Sequence, residues 1–396
     1  MLADRAKNIS TSATIMIAAE TKKLIAQGKD IIDLGVGEPD FNTPAEIKSS
    51  GKVAIDKNLT KYTYNQGMIE LRQAIASKLE KENNLVYNTN EIIVTSGAKQ
   101  GVYNGLFVLV NPGEEVIIPA PYWVSYPSMV ALTGGKSVIV DTDESNGFKL
   151  TAKQLEASIT SNTKALILCN PSNPTGSVYS REELMELAEI IIKKNLYVIS
   201  DEVYEKLVYD DFHFTSFASL NEEIKKRTII VNGVSKSYAM TGWRLGYAAG
   251  PEKIISAMNT IQSHTTSHPS TITQFAAIEA ISGSQKAVKE MINAYQNRRD
   301  YLYKELISIK GINCHKPEGA FYLFPNVTNY FNKKSKVFDI KNSFDFAMYL
   351  LYEARIATVP GSGFGKEGFL RLSYSTSMEN ITEAIVRLKE ALNKLN

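Results

Sequence analysis

From about residue 47 to residue 285, short continuous apolar runs alternate with longer segments whose apolar residues recur every three or four positions. The runs "EIIVTSG" (91–97), "EEVIIPA" (114–120), "KSVIVDT" (136–142), "TKALILCN" (163–170), "NLYVIS" (195–200), "TIIVNG" (228–233) and "RLGYAAG" (244–250) have the length and β-branched content of buried strands. Between them lie helical patterns such as 181–194, where Leu184, Leu187 and Ile191 form one apolar stripe and Ser180 with Glu183 forms a capping box. Alternation of this kind predicts an α/β fold, a mostly parallel sheet flanked by helices on both faces. Beyond residue 285 the texture changes. A helix over 284–308, a strand over 320–326, a helix over 342–356, a strand over 369–375 and a terminal helix over 379–393 predict a smaller α+β unit. The expected division is a large domain over 47–285 and a small one made of 1–46 and 286–396.

In an open parallel sheet, ligands bind beyond the carboxyl ends of the strands. Five of the predicted strands run into unusual polar residues there. "IIVT" meets Ser96-Gly97-Ala98-Lys99, "VIIPA" meets Pro121-Tyr122-Trp123, "ALILC" meets "NPSNPTG", "LYVIS" meets Asp201-Glu202-Val203-Tyr204, and "IIVNG" meets Val234-Ser235-Lys236. Each alone is compatible with an ordinary turn, but five on one sheet edge point to a site. The stretch "VNGVSKSYAMTGWRLGYAAG" (231–250) holds one lysine, Lys236, and one arginine, Arg244, in apolar surroundings unlike a solvated surface.

A strand-to-helix turn at "SGAK" offers free backbone N–H groups to an anion. Ser235 and Arg244 add a hydroxyl and a bidentate fork. Neither GxxxxGK[ST] nor GxGxxG occurs, and "GSGFGKEG" (361–368) has the wrong spacing and is expected to be a loop. A single-phosphate cofactor fits better. A lysine beside the phosphate, an aspartate and a tyrosine at strand ends and a tryptophan for stacking suggest pyridoxal phosphate, with the lysine holding its aldehyde and the aspartate its pyridinium proton.

Composition narrows the alternatives. Of 396 residues, 44% are hydrophobic and 22% charged, which suits one large core with a satellite domain. Lysine and arginine total 44 against 42 acidic residues, and a net charge of +2 gives no ground for a nucleic-acid or anionic-membrane partner. The start "MLADRAKNIS" lacks a signal peptide's apolar segment, and no apolar run approaches the ~20 residues that span a bilayer. Cys169 and Cys314 make no disulfide or metal pattern, so a reducing cytoplasm is expected. His213, His264, His268 and His315 form no HExxH pair, and no metal site is expected. His264 and His268 are four apart, but "TTS" and the following proline point to a loop.

The motifs together resemble class I aminotransferases of the pyridoxal-phosphate-dependent fold-type I family. "SKSYAMTGWRLGY" is similar to that family's lysine signature. "LGVGEPDF", "KYTYNQGMIELRQAI", "PAPYWVSYP", "NPSNPTG", "SDEVYE" and "LRLSYSTS" resemble its other blocks, in the family's order, from about residue 10 to residue 390. Among subgroups the chain looks most like the bacterial aspartate aminotransferases.

This resemblance implies roles by position. Lys236 would bind the pyridoxal 5′-phosphate aldehyde as a Schiff base and then serve as the proton-moving base. Asp201 would keep the pyridine nitrogen protonated. Tyr204 and Asn173 would bond the ring oxygen, Trp123 would stack on the ring, and Gly97, Ala98, Lys99, Ser235 and Arg244 would surround the phosphate. Tyr62 would reach in from the second subunit of a homodimer. Arg371 would clamp the substrate's α-carboxylate, although its alternation with Leu370 and Leu372 fits an exposed strand face equally well. Asn173 and Trp123 would also touch substrate, and Gly37 would lie against it where a side chain would collide. Lys99 and Thr14 would meet the distal carboxylate of an acidic substrate. The implied reaction moves the amino group of L-aspartate or glutamate to 2-oxoglutarate or oxaloacetate by a ping-pong mechanism. Aromatic amino acids or prephenate are alternative substrates, and β-elimination is an alternative pyridoxal chemistry. Ser96–Lys99 also fits S-x-x-K, but the companion motifs of serine acyl-enzymes are missing. A ligand-sensing regulator would need a DNA-binding module, for which a match starting near residue 10 leaves no room.

Overall fold

The computed structural model describes the backbone of residues 13–396 and the side chains from Met16 onward. Its strands, in chain order, are β1 (Ile32–Asp33), β2 (Ile92–Thr95), β3 (Glu115–Ala120), β4 (Lys136–Asp141), β5 (Thr163–Cys169), β6 (Tyr197–Asp201), β7 (Thr228–Gly233) and β8 (Gly246–Ala249). They are followed by β9 (Tyr322–Leu323), β10 (Ile356–Ala357), β11 (Val359–Pro360) and β12 (Leu370–Ser373). Seven form the main sheet in the order β2-β8-β7-β6-β5-β3-β4.

Pairing is parallel throughout that sheet except at β8, which runs antiparallel to both β2 and β7. The mostly parallel sheet expected from the sequence is present, and the one reversal matters for the site. Because β8 enters from the edge where its neighbours end, Arg244, two residues before it, is delivered to the same edge as Lys236.

Side chains alternate across the sheet, and both faces are covered. Ile167, Ile199 and Ile229 pack with Val102, Leu106 and Leu109 of the helix Ala98–Leu109 and with Ile255 and Met258 of the helix Glu252–Ser263. On the opposite face Leu166, Leu168 and Val198 meet Leu184, Leu187 and Ile191 of the helix Arg181–Lys193. Each fully buried aliphatic side chain contributes roughly 1.5–3 kcal/mol. That last helix starts at the predicted capping box: the Glu183 N–H donates to Ser180 Oγ at 3.2 Å and the Ser180 N–H to Glu183 Oε2 at 2.7 Å.

A separate apolar cluster is built from residues from Met291 onward, joined by Ile17, Ile32 and Leu34 of the N-terminal segment and by Val203, Tyr204, Leu207 and Tyr209. Here β12 pairs antiparallel with β9 and β11, and β1 pairs parallel with β10. The helix Lys286–Ile307 and the terminal helix Met378–Leu392 lie close to their expected bounds. The segment predicted as a strand over 320–326 is a strand over Tyr322–Leu323 only, with isolated bridges at Asn326. The helix predicted over 342–356 is α-helical over Ser343–Tyr349 and then widens into a π turn, Leu350–Ala354, that ends on left-handed Arg355.

Candidate active site

At the carboxyl edge of the main sheet, facing the second cluster, lies a cavity of about 600 Å³. Strand ends supply its floor. Asp201 closes β6, Ser235 and Lys236 follow β7, and Trp123 and Tyr126 follow β3. Gly37, Tyr322, Phe364 and Arg371 close it from the opposite side, and Ile17 and Thr21 of the helix Ala13–Ala26 cover part of it.

Asp201 is buried. The Tyr126 hydroxyl donates to its Oδ2 at 2.7 Å, while Oδ1 is buried with no partner among the described residues. Burial pushes its pKa up to about 6, against the opposing pull of Tyr126, the Val203 backbone and Lys236. An orphaned, buried carboxylate oxygen on a residue that lines a cavity calls for a proton donor on the ligand.

The Lys236 amine donates to the Gly37 carbonyl. Burial pushes its pKa down to about 8; Arg371 and Arg244 push the same way, and Glu38 and Asp201 oppose them. An amine so placed reaches its neutral, nucleophilic form within about a unit of neutral pH, as a Schiff-base lysine requires.

The anion cradle is tight. Gly97 has φ +82°, and a Cβ there would collide with the Arg244 guanidinium, at 3.1 Å from Cζ. The helix Ala98–Leu109 begins at the next residue, Ser235 is nearly buried, and the Arg244 Nη1 is held by the Thr241 carbonyl at 2.8 Å. Lys99 sits 4.8 Å from the Trp123 ring centroid, and burial, with Arg244, lowers its pKa.

Arg371 is not the surface arginine that strand alternation allowed: it is 7% exposed and lines the cavity. Its Nη1 donates to Asn173 Oδ1 at 3.1 Å and its Nη2 to the Gly35 carbonyl at 2.7 Å. The Nε–H is buried without a partner among the described residues. The guanidinium lies against two rings, 4.4 Å from the Tyr322 centroid and 5.0 Å from that of Phe364. A Cβ on Gly37 would come 3.3 Å from the Tyr322 hydroxyl and 3.8 Å from Arg371 Nη2. Tyr204, buried, has its hydroxyl 2.9 Å from that of Tyr322, and burial raises its pKa well above the ordinary phenol value.

Of the residues singled out in the sequence, Gly37, Ala98, Lys99, Trp123, Asn173, Asp201, Tyr204, Ser235, Lys236, Arg244 and Arg371 line this one cavity. Gly97 adjoins it through Arg244. Tyr62 does not reach it: the side chain is 92% exposed and lies edge-on to His268. The Thr14 side chain lies outside the described residues. Ser96, the serine of S-x-x-K, does not line the cavity. His268 accepts from the Thr63 N–H at 3.2 Å, as a loop histidine. Three residues escaped sequence reasoning. Tyr126 stood in a quoted block beside Tyr122 with nothing to choose between them, Tyr322 was one aromatic of "AFYLFPN", and Phe364 lay in the glycine-rich 361–368 segment.

The described residues contain no helix long and apolar enough to cross a membrane and no His, Cys, Asp and Glu group suited to a metal. Residues 29–388 match the family described as aminotransferase class I and II. The aspartate aminotransferase of Bacillus sp. strain YM-2 is 47% identical over 388 residues, 98% of each chain. The aspartate/prephenate aminotransferase of Cereibacter sphaeroides is 47% identical over 393 residues, again 98% of each. Among solved structures, the aspartate aminotransferase of Rhizobium meliloti superposes with a TM-score of 0.97 at 43% identity, covering 100% of both chains.

Proposed function

Because the chain belongs to the class I and II aminotransferase family, we propose that it transfers the amino group of L-aspartate or glutamate to 2-oxoglutarate or oxaloacetate in two half-reactions. The family depends on pyridoxal phosphate, and the residues present fit that group. The observation that carries the reading is one cavity uniting a lysine of lowered pKa, a buried carboxylate with a free oxygen, and a buried arginine with a free N–H.

When bound, pyridoxal phosphate supplies an aldehyde for an amine and a ring able to take up the electron pair left at the substrate's Cα. The chain's own residues do the rest. The Lys236 amine would hold the aldehyde and, as a free base, would accept the proton leaving the substrate's Cα. Asp201 Oδ1 would hold a proton on the ring nitrogen, and Tyr126 would fix the plane of that carboxylate. Tyr204 and Asn173 would hold the ring oxygen, and Trp123 would pack on the ring. Gly97, Ala98, Lys99, Ser235 and Arg244 would surround the phosphate. Arg371 binds the α-carboxylate, Gly37 leaves room for it, and Lys99 with Thr14 meets the distal carboxylate. Water is kept out by the aromatic wall of Tyr322 and Phe364.

Two further assignments belong to this reading. Residues 47–285 form the large cofactor-binding domain, and 1–46 with 286–396 the small one; the grouping of Ile17, Ile32 and Leu34 with the C-terminal core supports the division. The protein works as a cytoplasmic homodimer. The nearly full exposure of Tyr62 on its own chain supports a partner, and two unpaired cysteines suit a reducing compartment. The test is a panel of amino donors followed by cofactor absorbance, with aspartate, glutamate, phenylalanine and serine as donors and 2-oxoglutarate or prephenate as acceptor. Aspartate and glutamate should react fastest. Ammonia and pyruvate release without any oxo acid would instead indicate a lyase.

A further inference from the structure

Tyr322 is completely buried between two groups that serve different ends of the substrate–cofactor pair. Its ring lies 4.4 Å from the Arg371 guanidinium carbon. Its hydroxyl lies 2.9 Å from the Tyr204 hydroxyl. Gly37 leaves that hydroxyl uncrowded, since a Cβ there would sit 3.3 Å away.

We propose that Tyr322 is a positioning residue with two separable tasks: its ring fixes Arg371 for the substrate carboxylate, and its hydroxyl donates to Tyr204, reserving the single Tyr204 proton for the cofactor's ring oxygen. The inference rests on the aminotransferase reading above.

Proton counting sets the direction of the hydroxyl pair. A phenol has one hydrogen to donate. If Tyr204 donated to Tyr322, nothing would remain for the cofactor. If Tyr322 donates, Tyr204 accepts and keeps its own proton, and accepting a hydrogen bond polarises its O–H into a better donor. The neighbouring cation favours the same sense. Burial raises both phenol pKa values, but the Arg371 charge is the chief force lowering that of Tyr322 and only a minor one at Tyr204. The ring's task follows from what holds Arg371. Its two terminal nitrogens are tied to Asn173 and Gly35, and the aromatic face sets the plane in which the unpartnered Nε–H is presented. A cation desolvated against an aromatic face gains appreciably from that contact.

The two tasks separate by mutation. Tyr322→Phe keeps the ring and removes the donor; Tyr322→Leu removes both. Two readouts on the cofactor-loaded dimer are used: the pH midpoint of its visible absorbance and the dissociation constant of maleate, a dicarboxylate that cannot react. A donor on the ring oxygen favours the deprotonated form, in which that oxygen's negative charge is not shared with a neighbouring proton. Tyr322→Phe should therefore raise the midpoint by roughly half a pH unit or more and leave maleate affinity within about twofold. Tyr322→Leu should raise the midpoint similarly and weaken maleate by about 5–20-fold. An unmoved midpoint in Tyr322→Phe overturns the hydroxyl's task, and equal maleate loss in both variants overturns the ring's. Failure of the wild-type protein to bind cofactor at all would sink the aminotransferase reading itself, a result distinct from either.

Discussion

The Tyr126 hydroxyl holds one oxygen of Asp201 at 2.7 Å and leaves the other buried and unpartnered. That arrangement has a cost in the cofactor-free protein, where a carboxylate is buried with one hydrogen bond too few. An acid whose folded pKa lies above its unfolded one destabilises the fold as pH rises. The penalty is absent below the ordinary aspartate pKa near 3.9, grows as pH climbs toward about 6, and is complete above that. Cofactor-free Asp201→Asn should therefore be more stable than wild type at pH 8, by roughly 1–3 kcal/mol, with no advantage at pH 4. Denaturant melts at the two pH values measure it. The same variant should lose about 10²–10³-fold or more in turnover, since an amide cannot hold charge against the ring nitrogen. A stable variant with full turnover would remove Asp201 from the mechanism.

Lys236 makes the opposite kind of prediction. On the proposed reading its neutral amine is the nucleophile, and burial brings its pKa down to about 8. The rate at which cofactor-free protein captures pyridoxal phosphate should rise close to tenfold per pH unit below that value and level off above it. Stopped-flow absorbance gives the profile. A plateau starting only near pH 10 would mean that the amine is solvated and ordinary.

Lys99 packs on Trp123 within the cavity. Lys99 is exposed on its own chain, but its amine lies over the Trp123 ring at the cavity, where a distal carboxylate should gain more from it than a neutral side chain would. Lys99→Ala should cut kcat/KM for aspartate by about 10–100-fold, and that for alanine or phenylalanine by threefold at most. Equal losses across the panel would place Lys99 on the phosphate alone.

Tyr62 stands exposed on its own chain, so a site that uses it must borrow it from a second subunit. Tyr62→Ala and Lys236→Ala proteins should each be impaired, the second inactive. Mixed dimers should recover one intact site in two, combining Lys236 of one chain with Tyr62 of the other. Active-site titration after mixing and refolding reads this directly, and no recovery would argue against shared sites.

Much of this was legible in the chain because burial and strand direction leave clear marks. Asp201 and Lys236 follow apolar runs too continuous to be anything but central parallel strands, and such strands deliver their last residues to one edge. The direction of β8 was not legible, since an apolar run has no polarity, yet its reversal brings Arg244 to that edge. Arg371 was ambiguous for a related reason. Alternation says that it opposes Leu370 and Leu372 but not which face meets solvent, and here both are buried. The π turn at Leu350–Ala354 adds a residue to a helical turn without disturbing the apolar spacing enough to notice. Tyr126 and Tyr322 reach the site only through partners distant in sequence, Asp201 and Arg371, and no local pattern distinguishes them from core tyrosines such as Tyr349 or Tyr374.

On the proposed function, one amine, that of Lys236, takes the cofactor's aldehyde. Borohydride reduction of the cofactor-loaded protein, followed by peptide mass mapping, measures it most directly. The expected result is a cofactor-derived mass fixed to the peptide carrying Lys236, stoichiometric with subunits and absent from Lys236→Ala. Reduction that labels a different lysine, such as Lys99, or fixes nothing to the protein, would contradict it.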